Sequence, residues 1–111
     1  MTSLVDRPWV AEIPTDLYIG GAWRTASRPE PIPVQDPATE DVIAHVADAS
    51  PEDGLAAVDA ASAALPGWAA TSPRKRGEVL HRAFELMTER REQLAELIVL
   101  ENGKALTDAR G

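Results

Sequence analysis

SPEDGLAAVDAASAALPGWAATSPRKRGEVLHRAFELMTERREQLAELIVLENGKAL, residues 50–106, decides the reading of this chain. Ser50-Pro51-Glu52-Asp53 is a helix start: a capping hydroxyl, a proline at the first helical position and acids in the first turn. Leu55, Val58, Ser62 and Leu65 then recur at helical spacing among alanines, and Pro66-Gly67 reads as the stop. Ser72-Pro73 repeats the start. Leu80, Ala83, Phe84 and Met87 behind it form an apolar stripe, followed by a second at Leu94, Leu97, Ile98 and Leu100 that closes on Asn102-Gly103 as a C-terminal cap. The stripes are in phase, so spacing alone permits one helix of about 30 residues, roughly 45 Å long. Arg91, in the polar run Thr88 to Gln93, sits where a continuous stripe wants an apolar side chain, and a break is expected there. Thr107-Asp108-Ala109 opens a further turn of helix.

The first half has a different texture, with seven of the nine prolines falling before residue 60. Leu17-Tyr18-Ile19, Gly20-Gly21 and Ala22-Trp23-Arg24 predict a β-hairpin, because the glycine pair accepts the positive φ angles of a two-residue turn. A second hairpin is expected from Val34-Gln35, the turn Asp36-Pro37-Ala38-Thr39 and the strand Val42 to Val46, with Val42, Ala44 and Val46 on one face. The organisation expected is a mobile N-terminal tail over 1–16, hairpins over 17–47 and helices over 50–111.

Composition narrows the function. Eleven basic against 18 acidic residues give a formal charge of −7, which opposes nucleic-acid binding. With no cysteine there is no disulfide, no thiolate zinc site and no thiolate nucleophile. Neither a signal peptide nor a run of roughly 20 apolar residues is seen, and a cytoplasmic location is the default expectation.

Several local patterns invite sharper readings. Gly103-Lys104 lacks the upstream glycine and following hydroxyl of a phosphate loop, since Ile98 and Ala105 occupy those places. Gly20-Gly21 has no third glycine and opens no helix, so it is no dinucleotide fingerprint. His81 and Glu85 share a helix face, but two ligands do not make a metal site. Arg74-Lys75-Arg76 opposes the dipole of its own helix, either as a solvated end or as a contact for acidic groups elsewhere. Trp68 is expected just past the first helix, packed between helices, whereas nothing in the sequence says what Trp9 touches.

Taken in order, these segments resemble the opening of the aldehyde dehydrogenase superfamily. Leu17 to Trp23 matches its first hairpin. Asp36 to Ala44 matches its Asn-Pro-Ala-Thr-Gly-Glu-Val-Ile-Ala stretch, with Asp36 for Asn and Glu40-Asp41 for Gly-Glu. Leu65-Pro66-Gly67-Trp68, Pro73 to Leu80, Met87-Thr88-Glu89-Arg90, Leu94-Ala95-Glu96-Leu97 and Glu101 to Leu106 continue the match. From Leu65 onward the run looks most like the succinate-semialdehyde dehydrogenase branch. The resemblance implies an α/β enzyme roughly four to five times this length, with a Rossmann-like cofactor domain, a catalytic domain and an oligomerisation arm. It implies NAD or NADP as cofactor and a homo-oligomer as the assembly, with neither nucleic acid nor membrane as a partner. The implied chemistry is a cysteine thiolate attacking the aldehyde, hydride transfer to the nicotinamide, and hydrolysis of the thioester by a glutamate-activated water, with an asparagine and a backbone N–H holding the oxyanion. None of those groups lies in this segment, so its catalytic, cofactor-binding and metal residues are none. This chain is therefore expected to be an inactive N-terminal fragment of the incomplete cofactor domain, supplying hairpins and outer helices. Two rivals stand beside that: a self-contained helical interaction module, and a truncated paralogue that assembles with a full-length dehydrogenase.

Overall fold

The computed structural model describes residues 3–111. Strands β1 (Leu17–Ile19) and β2 (Ala22–Arg24) form the first antiparallel hairpin, and β3 (Ile32–Gln35) and β4 (Val42–Val46) the second. Helices α1 (Pro51–Ala70), α2 (Pro73–Glu89), α3 (Arg91–Asn102) and the single turn α4 (Leu106–Ala109) follow.

Both expected hairpins form. Gly20 and Gly21 close the first with φ values of 63° and 80°, and Tyr18 faces Trp23 across it with ring centroids 4.9 Å apart. In the second, Asp36 Oδ1 accepts from the Ala38 N–H at 2.8 Å, the side-chain turn expected of Asp before Pro. The register shifts between Val34, opposite Ala44, and Gln35, opposite Val42, leaving Ile43 as the extra residue. That bulge corrects the expected face: Ala44, Val46 and Ile43 are half-buried, while Val42 is exposed.

The helix starts also stand as read. Ser50 caps α1 and Ser72 caps α2, each hydroxyl accepting a backbone N–H three residues on. Arg90, at φ −101° and ψ 15°, separates α2 from α3 and confirms the expected break. Its neighbour Arg91 turns outward, donating through Nε (3.2 Å) and Nη2 (2.7 Å) to the Arg110 carbonyl. Gly103 caps α3 with a left-handed φ of 76°.

Two expectations about α1 are corrected. The helix does not stop at Pro66-Gly67 but runs through them to Ala70. Proline's fixed φ is itself helical, and its cost is one lost N–H bond and a clash with the preceding turn. The end is closed a turn later, where Thr71 donates its N–H to the Trp68 carbonyl at 3.1 Å and its hydroxyl to the Gly67 carbonyl at 2.8 Å. Trp68 therefore lies inside α1, 45% exposed, rather than packed between helices beyond it.

Residues 3–16, within the segment expected as a tail, carry two 3-10 turns, Leu4–Asp6 and Pro8–Glu12. They lie along α3, with Arg7 paired to Glu96 at 3.1 Å and Trp9, Ile13 and Pro14 facing Leu94 and Leu97. What core there is sits beside them, where α3 meets the second hairpin. Ala95 and Leu100, each 2% exposed, are the buried apolar side chains among the described residues.

The first hairpin is tied to α1 by one carboxylate. Asp53, 3% exposed, accepts at Oδ2 from the Ser50 N–H at 2.9 Å and from the Ser27 N–H at 3.0 Å. The Ser27 hydroxyl lies 3.0 Å from the same oxygen and 2.6 Å from the Ser50 hydroxyl. Ser50 returns the bond by accepting the Asp53 N–H at 3.2 Å, completing a capping box. The Arg24 guanidinium stands 3.8 Å from Oδ1. The backbone N–H of Ser27 first, then that of Ser50, hold the Asp53 carboxyl at about 2, below its ordinary 3.8, against the opposing effect of burial.

Because the folded pKa is the lower one, this carboxylate stabilises the junction fully above its ordinary range and loses that contribution as pH falls from about 4 to about 2. We expect a carboxyl-carbon NMR titration to show Asp53 as the low outlier, with the Ser27 and Ser50 amide signals moving in the same window. In Asp53→Asn that window should vanish and the hairpin should loosen from α1.

A second prediction concerns Glu40, a non-glycine residue at φ 65°. Left-handed backbone costs an ordinary residue roughly 1–2 kcal/mol, part of which glycine returns through its freer unfolded chain. Glu40→Gly should stabilise the second hairpin by about 0.5–1 kcal/mol, measured as roughly two- to fivefold slower amide exchange along the β3–β4 ladder.

Candidate functional site

Most of the polar patterns singled out in the sequence fall to local structural roles. His81 Nε2 meets Glu85 Oε1 at 3.3 Å on the open face of α2. No group of three or more His, Cys, Asp or Glu among the described residues is placed to hold a metal. Gly103 is a helix cap: a Cβ added there would meet Pro37 Cγ at 3.1 Å, so it also lets the turn of the second hairpin approach α3. Gly20-Gly21 is a turn that rests near Ala60 of α1. Arg74 pairs with Glu78 at 3.4 Å, both largely exposed. Arg76 Nε is buried without a hydrogen-bond partner among the described residues. Arg110 grips Glu92 through Nε at 3.1 and 3.2 Å and through Nη2 at 2.9 Å, clipping α4 to α3. The Arg110 hydrogen bonds hold the Glu92 carboxyl below its usual range and raise the guanidinium correspondingly. Being exposed, this pair adds little to stability.

What the helices leave open is an apolar surface. The alanine face of α1, at Ala57, Ala60, Ala61 and Ala64, lies along Tyr18 to Gly21 of the first hairpin. Leu55, Val58, Leu65 and Trp68 of the same helix are exposed, and of the alanine face only Ala60 is half-buried, so α1 is almost without apolar cover. On α2 the stripe Leu80, Phe84 and Met87 faces solvent, with Phe84 60% exposed, and Leu94 and Ile98 of α3 are also open. These are the stripes read from the sequence, and the structure brings almost none of their side chains into a core. The accessible surface is 8335 Å², against roughly 5,900 Å² for a compact monomer of this mass. The radius of gyration is 17.1 Å, against roughly 13 Å for a compact chain of this length. An apolar surface of this extent, arranged at helical spacing, exceeds what a compact monomer ordinarily exposes. Among the described residues no helix is long and apolar enough to cross a membrane.

The residue that sequence reading underestimated is Asp53. The Ser-x-x-Asp spacing announces a capping box, but nothing local announces the bonds from Ser27.

Residues 23–111 match the model of the aldehyde dehydrogenase family. The chain is 38% identical over 94 residues to a glutarate-semialdehyde dehydrogenase from Pseudomonas aeruginosa, covering 85% of this chain and 20% of that one. It is 51% identical over 70 residues to a succinate-semialdehyde dehydrogenase from Paenarthrobacter nicotinovorans, covering 63% and 16%. A crystal structure of a cysteine-to-alanine mutant of an aldehyde dehydrogenase from Pseudomonas syringae, in complex with NAD+ and octanal, superposes with a TM-score of 0.85 at 46% identity, covering 90% of this chain and 21% of that one. The chain thus spans about a fifth of the length of the relatives it matches. With short hairpins, helix starts and helix breaks in the family's order, the chain belongs to the aldehyde dehydrogenase family.

Proposed function

We propose that this chain works as the N-terminal part of an NAD(P)-dependent aldehyde dehydrogenase that oxidises a small semialdehyde to its acid. The observation that carries the reading is the uncovered apolar surface of α1, α2 and α3 on a chain that covers about a fifth of its relatives. In this proposal residues 17–111 form the outer layer of the cofactor domain, and residues 1–16 precede it in the chain. The thiolate, the cofactor-binding groups and the oxyanion donors belong to the remainder of the dehydrogenase, and the assembly is a homo-oligomer. The proposed substrate class follows the relatives named for succinate, glutarate and malonate semialdehydes. These substrates share a reactive aldehyde at one end and a carboxylate at the other. The segment's own contribution is mechanical: it covers and positions, and it transfers nothing.

Two experiments test this. A full-length dehydrogenase containing this segment should reduce NAD+ or NADP+ with succinate semialdehyde, read by the absorbance of the reduced nicotinamide. The 111-residue chain alone should produce no signal and should not bind the cofactor tightly. Hydride transfer by the short chain, or an inert full-length enzyme tested against several semialdehydes, overturns the proposal.

Phe84→Ala separates the fragment from a self-contained interaction module. In the isolated chain the side chain is open to water, and the change should move stability by no more than about 0.5 kcal/mol. In the full-length enzyme, where the stripe is covered, the same change should cost about 3–5 kcal/mol. Denaturant unfolding of both proteins supplies the comparison, and an equally small effect in both overturns the covering role.

A further inference from the structure

We draw no further inference here: the strongest candidate, the apolar cleft between the N-terminal 3-10 turns and α3, walled by Trp9, Ile13, Leu94 and Leu97 with Glu12 and Arg90 also lining it, carries nothing because charges of both signs favour no ligand and nothing in the structure shows what covers it.

Discussion

One carboxylate fixes the junction between the first hairpin and α1. The strands of the first hairpin are three residues long, and a two-stranded ribbon of that size is not stable in water by itself. Asp53 supplies what the ladder lacks. The acceptor that closes the first turn of α1 also receives the N–H of Ser27, so the helix and the segment leaving β2 share one bonding group. Nearly all of its surface is removed from water, a state tolerable for a charge only when hydrogen-bond donors replace the lost water. Removing any donor therefore costs more than one ordinary hydrogen bond, because the buried anion is left with part of its lost hydration unreplaced.

Outside that junction the elements are joined lightly. Arg7 to Glu96, Arg28 to Asp48 and Arg110 to Glu92 are ion pairs with at least one exposed partner, the kind that contributes roughly 0–1 kcal/mol each. Helical packing, which normally supplies most of a helix's stability in a protein, is nearly absent, since α3 alone contributes buried apolar side chains. The local geometry of each helix is nevertheless well specified by its caps. A chain with sound caps, sound turns and empty apolar faces is locally consistent but globally unfinished. That combination is what supports the proposed reading of the chain as one layer of a larger fold.

Much of this was legible because it is local. Gly20-Gly21, Ser50-Pro51, Ser72-Pro73 and Gly103 act within a turn of themselves, and each adopted the conformation its chemistry demands. Arg91 betrayed the helix break because a guanidinium cannot replace an apolar side chain in the stripe. The exceptions are of three kinds. Ser27 and Asp53 are 26 residues apart, and no periodicity links them. Pro66 does not end α1 because, as a breaker, it competes with a helix whose start and end are both capped. Trp9 was unreadable for a third reason, that its neighbours on α3 are set by the path of a segment with no repeating pattern.

The two positive-φ positions near the second hairpin show how the same backbone demand is met differently. Glu40 occupies its strained conformation because the turn is pinned from both sides, with the Asp36 N–H on the Asp41 carbonyl at 2.9 Å and the Glu40 N–H on the Asp36 carbonyl at 2.7 Å. Its exposed side chain meets no obstacle, so only backbone strain opposes it, and neighbouring bonds offset that strain. Gly103 has no such latitude. Its left-handed φ coincides with the approach of Pro37, and any Cβ would press on that ring. One turn thus tolerates a departure from the family's glycine, while the helix cap beside it does not, because conformation alone is negotiable and conformation combined with contact is not. That close approach adds to the apolar meeting of Val34, Ile43, Ala44 and Val46 with Leu97 and Leu100, where the second hairpin lies against α3.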